Sequence, residues 1–86
     1  MIYERMVIMN LKELKLICRD VKKRCAEKNI SVKLKPYYVG RGPASNPRRF
    51  YAIDIYVNGE YIGDYAAIDE KADWQTVEYI LEGKII

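Results

Sequence analysis

The Asn58-Gly59 dipeptide stands between two runs of β-branched and aromatic residues, FYAIDIYV and EYIGDYAA. A two-residue hairpin turn of type I′ needs a positive φ at both central positions, and asparagine and glycine adopt it most readily. We therefore predict a β-hairpin over residues 50–67, with Tyr56 opposite Tyr61. The rest of the chain is organised around this hairpin.

The register that follows from this turn divides the hairpin side chains between two faces. The face predicted to lie against the core carries Tyr51, Ile53, Ile55, Val57 and Ile62. The other face carries Phe50, Ala52, Asp54, Tyr56, Tyr61 and Tyr65. Because Asp64 would then adjoin the apolar face, a bulge near Gly63 is an alternative. The tyrosines are either cross-strand pairs on a half-solvated sheet or a contact surface for a partner or stacked bases.

Apolar residues at helical spacing predict a first helix over residues 10–29, with Asn10 as its N-cap. Residues 30–38 alternate between apolar and polar, which is typical of a strand, and Pro36 indicates an edge strand. A second helix is predicted over residues 69–82, capped by Asp69 or Asp73 and ended by Gly83.

These elements predict an α+β fold with the order α-β-β-β-α. We expect a three-stranded antiparallel sheet with both helices packed on one face, in a single domain over residues 10–86. Residues 1–9 are expected to be a lead-in, either disordered or a short strand.

The composition argues against several functional classes. The 86 residues include no histidine, so the commonest general base and zinc ligand is absent, and we expect neither catalysis nor a bound metal or cofactor. No apolar run of about 18 residues is present, so we expect no membrane partner. Cys18 and Cys25 are about 10.5 Å apart along one helix, too far for a disulfide. Buried free thiols suit a cytoplasmic location.

Charge is distributed unevenly along the chain. The net charge is +3, but residues 10–57 carry +8 and residues 58–86 carry −5. The loop over residues 39–48, together with Arg49, contributes three guanidinium groups, from Arg41, Arg48 and Arg49, each able to bind a phosphate through two hydrogen bonds. The first two thirds of the chain are therefore a candidate surface for a polyanion, although such charges also commonly solvate exposed faces.

Residues 35–63, KPYYVGRGPASNPRRFYAIDIYVNGEYIG, resemble the middle of a double-stranded RNA-binding domain. That family has a Pro-x-Tyr strand, a Gly-Pro loop, a strand led by an aromatic residue, a tight turn and a strand with glycine. The matching positions here are Pro36, Tyr38, Gly42-Pro43, Phe50, Asn58-Gly59 and Gly63. The likeness extends over residues 10–82 through the order of the elements.

The resemblance implies duplex RNA as the first ligand to consider, gripped at three places across two minor grooves and the intervening major groove. The first helix would use Lys12, Lys15 and Arg19. The loop would use Arg41, Ser45, Asn46 and Arg48, with Arg49 beside it. At the third place only Lys71 matches, because Asp69-Glu70 stands where the family has basic residues, and Ala44-Ser45 replaces the family's loop histidine.

The alternative is a small inhibitor or adaptor that binds a protein. Its size and element order are similar to those of some phage anti-CRISPR proteins. The acidic residues near the C-terminus would then mimic phosphates to a basic partner; they are Asp64, Asp69, Glu70, Asp73, Glu78 and Glu82. The tyrosine face, with Tyr37, Tyr56, Tyr61 and Tyr65, would contact a protein partner or form a homodimer.

Overall fold

A computed structural model describes residues 9–86, so residues 1–8 of the lead-in predicted for residues 1–9 lie outside the described part. The elements follow in the order α1 (Leu11–Glu27), β1 (Val32–Arg41), β2 (Arg49–Val57), β3 (Glu60–Asp69) and α2 (Trp74–Ile85). The strands form one antiparallel sheet in the order β1-β2-β3. The predicted α-β-β-β-α fold, with two helices and one open three-stranded sheet, is confirmed.

The ends of α1 follow the local chemistry of the sequence. Asn10 caps the helix, and its side-chain oxygen accepts a hydrogen bond of 2.9 Å from the Glu13 backbone N–H. This bond satisfies one of the amides that the first turn leaves unpaired. After Glu27 the chain leaves the helix through Asn29, whose φ is +61°. Asparagine tolerates this left-handed conformation better than most residues, which explains the stop.

Helix α2 differs from its prediction at both ends. Asp69 belongs to β3, so the cap is Asp73, which accepts a hydrogen bond of 3.2 Å from the Thr76 backbone N–H. The predicted stop at Gly83 is wrong, because the helix continues to Ile85. Ile85 packs against the core, and this contact holds the last turn in place.

The hairpin turn is confirmed, with φ of +51° at Asn58 and +83° at Gly59, and Tyr56 lies opposite Tyr61. Beyond Tyr61 the predicted register is wrong by one residue. Ile62 is an extra residue in β3, so Ile55 lies opposite Gly63 instead of Ile62. The alternative of a bulge near Gly63 is therefore the correct one.

The bulge moves three side chains relative to the prediction. Ile62, predicted to lie in the core, is 45% exposed. Asp64 lies opposite Asp54 on the open face, where its carboxylate stays in water. Tyr65 lies opposite Ile53 and packs against the core instead of joining the other tyrosines. A bulge adds one unpaired residue and so shifts the residues after it to the opposite face. Asp64 thereby avoids the apolar face that the unshifted register would give it.

The core lies between the sheet and the two helices. Helix α1 buries Leu14, Ile17, Cys18, Val21 and Cys25, and α2 buries Val77 and Leu81. The sheet contributes Val32, Tyr51, Ile53, Ile55 and Ile68. Met9 is also buried, and its backbone N–H bonds to the carbonyl of Glu70. Both thiols are free, as predicted, and burial raises the pKa of Cys18 to about 12.

The two ends of the fold are held differently. At the hairpin end, the Asn58 backbone N–H donates to the Ser31 carbonyl. At the other end, the Glu70 backbone N–H donates to the carbonyl of Arg49, next to the loop that joins β1 and β2. In the part of the chain that the structure describes, neither helix has the length and apolar character that crossing a lipid bilayer requires.

Candidate nucleic-acid interface and open sheet face

Basic side chains line a groove between α1 and β1. The groove has a volume of about 370 Å³, and Cys18, Leu34 and Pro36 form its apolar part. Its other lining residues are all basic: Lys15, Arg19, Lys22, Lys33 and Lys35. No carboxylate is among the residues that line it. A groove with charges of one sign concentrates counter-charged ligands, and phosphates are the common biological example.

The helical part of this groove continues along one stripe of α1. Lys12, Lys15, Arg19 and Lys22 are spaced three or four residues apart, so they share one side of the helix. At a rise of about 1.5 Å per residue, the stripe is about 15 Å long. All four residues are exposed. The stripe therefore includes the three α1 residues that the resemblance implied and adds Lys22.

The strand part of the groove could not be read from the resemblance. Lys33 and Lys35 belong to β1, an edge strand of the sheet. The alternation of Lys33 and Lys35 with apolar residues indicated that they lie on an exposed side of β1. Only the packing of α1 beside this edge brings them into one groove with the α1 cations. The Lys35 ammonium also lies 5.3 Å from the centre of the Tyr56 ring, a cation–π distance.

Of the three arginines predicted in or beside the loop, Arg41 instead ends β1 and Arg49 begins β2. Within residues 9–86, neither of these two forms a salt bridge. Arg41 lies opposite Arg49 across β1 and β2, so two guanidinium groups project from neighbouring positions. Arg48 is held instead in a salt bridge of 2.8 Å to Asp69. Ser45 and Asn46 are exposed between them.

The loop itself is closed tightly. The Gly42 backbone N–H donates a bond of 2.8 Å to the Arg48 carbonyl, and a Cβ at Gly42 would lie 2.5 Å from the Asn46 carbonyl oxygen. Only glycine fits this approach.

The start of α2 is an acidic surface. Lys71 is exposed, but it lies between Glu70 and the helix cap Asp73. Its backbone N–H donates to the Asp69 carboxylate, and this bond, together with the Arg48 guanidinium, lowers the pKa of Asp69. The carboxylates of Asp69, Glu70 and Asp73 therefore lie close to Lys71 in this third region.

The open face of the sheet carries three of the four predicted tyrosines. Tyr37, Tyr56 and Tyr61 share it, and the rings of Tyr56 and Tyr61 lie 5.3 Å apart in a tilted arrangement. Partial loss of hydration, and then the carboxylates of Asp54 and Asp64, raise the pKa of both Tyr37 and Tyr61.

Tyr65 lies on the other side of the sheet from these three. The Lys84 ammonium of α2 lies 5.9 Å from the centre of the Tyr65 ring. Burial raises the pKa of the Tyr65 hydroxyl. Tyr65 is therefore a packing residue under α2, and its predicted place on the tyrosine face is wrong.

Within residues 9–86, no three potential metal ligands lie close enough together to hold an ion.

Comparison of the chain with protein-family profiles, with curated proteins and with solved structures finds no match.

Proposed function

We propose that this chain is a non-enzymatic nucleic-acid-binding module that holds phosphate backbones in the groove between α1 and β1. The observation that supports this most is the set of five cations that line the groove without a carboxylate among them. Electrostatic contacts of this kind supply most of the affinity in sequence-independent binding of nucleic acids. Duplex RNA is the first ligand to test, because of the resemblance to the double-stranded RNA-binding domain.

The proposed contact differs from the family pattern in its distribution. Helix α1 keeps its role and is joined by Lys33 and Lys35 of β1. Arg41 and Arg49 extend the surface at the loop, whereas Arg48 contributes less because Asp69 already neutralises it. The acidic start of α2 occupies the position of the family's third contact but does not bind phosphate in this proposal. A duplex would therefore lie along α1 and the β1 edge, away from α2.

The acidic residues give less support to the alternative of a phosphate-mimicking inhibitor. Arg24 binds both Glu78 and Glu82, and Arg48 binds Asp69. Asp73 caps α2, and the Glu70 side chain accepts a bond from the Arg49 backbone N–H. Five of the six acidic groups therefore already have partners within the chain.

The test compares two triple variants with equal loss of charge. The first neutralises the groove, with Lys15→Gln, Arg19→Gln and Lys22→Gln. The second neutralises Lys23, Lys28 and Lys84 in the same way, none of which lines the groove. Binding of a labelled RNA duplex is measured by fluorescence anisotropy at several salt concentrations.

If all five groove cations replace counterions, the groove should contribute about −4.5 to the log–log salt slope of the unaltered chain, and contacts of Arg41 and Arg49 would steepen it further. The groove variant should reduce this slope by about 2 to 3, whereas the control should change it little. Equal losses in the two variants would refute the groove and attribute binding to net charge. The absence of binding to any duplex at low salt would refute the function itself.

A further inference from the structure

The open face of the sheet is electrically balanced, but its charges are separated by strand. Lys33 and Lys35 lie on β1, whereas Asp54 and Asp64 lie on β2 and β3. In one row across the sheet, Lys35 lies opposite Asp54 and Asp54 lies opposite Asp64. Within residues 9–86 neither aspartate forms a salt bridge. Like charges directly opposite each other destabilise a sheet, so this row gains from an outside cation.

Large and small side chains on the same face also lie on different strands. In the next row, β1 carries Tyr37, which is 41% exposed, and β2 carries Ala52 opposite it. On β3 this row is occupied by Ala66 and Ala67, where a second bulge widens the strand. These small residues form part of a hollow of about 480 Å³. One edge of the face is therefore raised and the other is recessed.

We propose that this face packs against the same face of a second copy of the chain, about a two-fold axis parallel to the strands. That rotation places β1 of each copy over β3 of the other and keeps every row on its own row. Lys35 then meets Asp64 of the second copy, and Tyr37 enters the hollow at Ala66–Ala67. In the row nearest the hairpin turn, Lys33 lies over the Tyr61 ring of the second copy. Because Lys33 and Lys35 also line the proposed phosphate groove, dimerisation through this face would compete with the phosphate contacts of these two lysines.

Each of these contacts occurs twice, once in each direction, as an isologous interface requires. The opposite choice of axis, perpendicular to the strands, would place Lys35 over Lys35 and Asp64 over Asp64. Such like-charge contacts disfavour that arrangement. In the preferred arrangement the β2 residues Ala52, Asp54 and Tyr56 each meet their own equivalents. Asp54 is the charged residue among them, and the two Lys35 side chains flank it. The dimer would be a four-layer sandwich with the helices outside.

The size of the face sets the expected strength. Its strands have 9 or 10 residues. With strands about 4.8 Å apart and a rise of about 3.3 Å per residue, the footprint is about 450 Å² on each copy. Together the two footprints approach the roughly 1,000 Å² that a specific interface needs. We therefore infer a dimer that forms reversibly with a dissociation constant in the micromolar range.

The experiment is sedimentation equilibrium of the full chain, free of nucleic acid, from about 1 µM to about 1 mM, a range that spans weak dissociation constants. Lys35→Glu and Asp64→Lys should each raise the dissociation constant at least about tenfold, because each creates two like-charge contacts. The double variant Lys35→Glu with Asp64→Lys should restore the dimer, because it exchanges the two charges of each contact. Lys23→Glu and Asp20→Lys on α1 make equal charge changes away from the face and should leave the constant unchanged.

Circular dichroism establishes that each variant is folded before its mass is interpreted. A chain that stays monomeric throughout this range overturns the proposal. Single reversals without effect, or a double variant that stays as weak as the single ones, also overturn it.

Discussion

Replacing Gly83 by alanine is expected to stabilise the fold. Gly83 lies inside α2, and a Cβ built on it meets no atom within 4 Å. Inside a helix, alanine is more favourable than glycine by about 0.5–1 kcal/mol, largely because the unfolded chain loses freedom. The residue is close to the end of α2, where helices fray. We therefore expect a gain of about 0.5 kcal/mol in the free energy of unfolding.

Thermal and urea unfolding, followed by the fluorescence of Trp74, measure this change. A gain of this size should raise the melting temperature by about 2–4 °C in a domain of this length. Gly59→Ala is the matched control, because it makes the same chemical change at a residue whose φ is +83°. That left-handed conformation costs an alanine about 1–2 kcal/mol, so the control should be destabilised.

The sign of the Gly83 result decides between two structures of the C-terminus. The sequence pattern predicted that Gly83 ends the helix in a left-handed conformation, and alanine would be destabilising there. A melting temperature lowered to the same extent as by Gly59→Ala would therefore refute a helix that continues to Ile85. It would also contradict the packing of Ile85 against the core, which depends on the helix reaching that residue.

Two further outcomes test the charged contacts between elements. The pKa of Asp69 is lowered by the Lys71 backbone N–H and the Arg48 guanidinium; its ionised form therefore stabilises the fold above the pKa of the unfolded state. Asp69→Asn should lower the urea midpoint at about pH 7. The difference should disappear as the pH falls through the lowered pKa of the native carboxyl, and a difference that does not change with pH would contradict this cause. Arg24 forms salt bridges to two glutamates of α2, and its side chain is 41% exposed. Arg24→Met should therefore lower the free energy of unfolding by about 1 kcal/mol and speed amide hydrogen exchange in α2. Unchanged exchange would show that this arginine does not hold the helix.

Local chemistry explains the parts of the fold that the sequence predicted correctly. The Asn58-Gly59 turn and the Asn10 cap depend on the residues themselves and on neighbours within three positions. The periodicity of α1 likewise identified its buried stripe, including both cysteines. For the candidate interface, the α1 cations were recognisable by position, and the acidic character of the Asp69-Glu70 pair was visible in the sequence.

Other features depend on how distant segments pack, so the sequence left them open. The turn alone implied a register that would have placed Asp64 on the apolar face. The structure avoids this with an extra residue at Ile62, which turns Tyr65 towards α2. Whether a strand bulges depends on the difference in burial free energy between two registers, which only the complete core fixes.

The sequence by itself determined the order of the elements, the hairpin turn, the cap of α1 and the uneven charge along the chain. The tertiary structure decided where the strands bulge, how far α2 runs and which cations share a groove. Turns and caps form from contacts over a few residues, so their signals are local. The groove between α1 and β1, and the separation of charge across the open face, exist only after segments far apart in the chain have packed together.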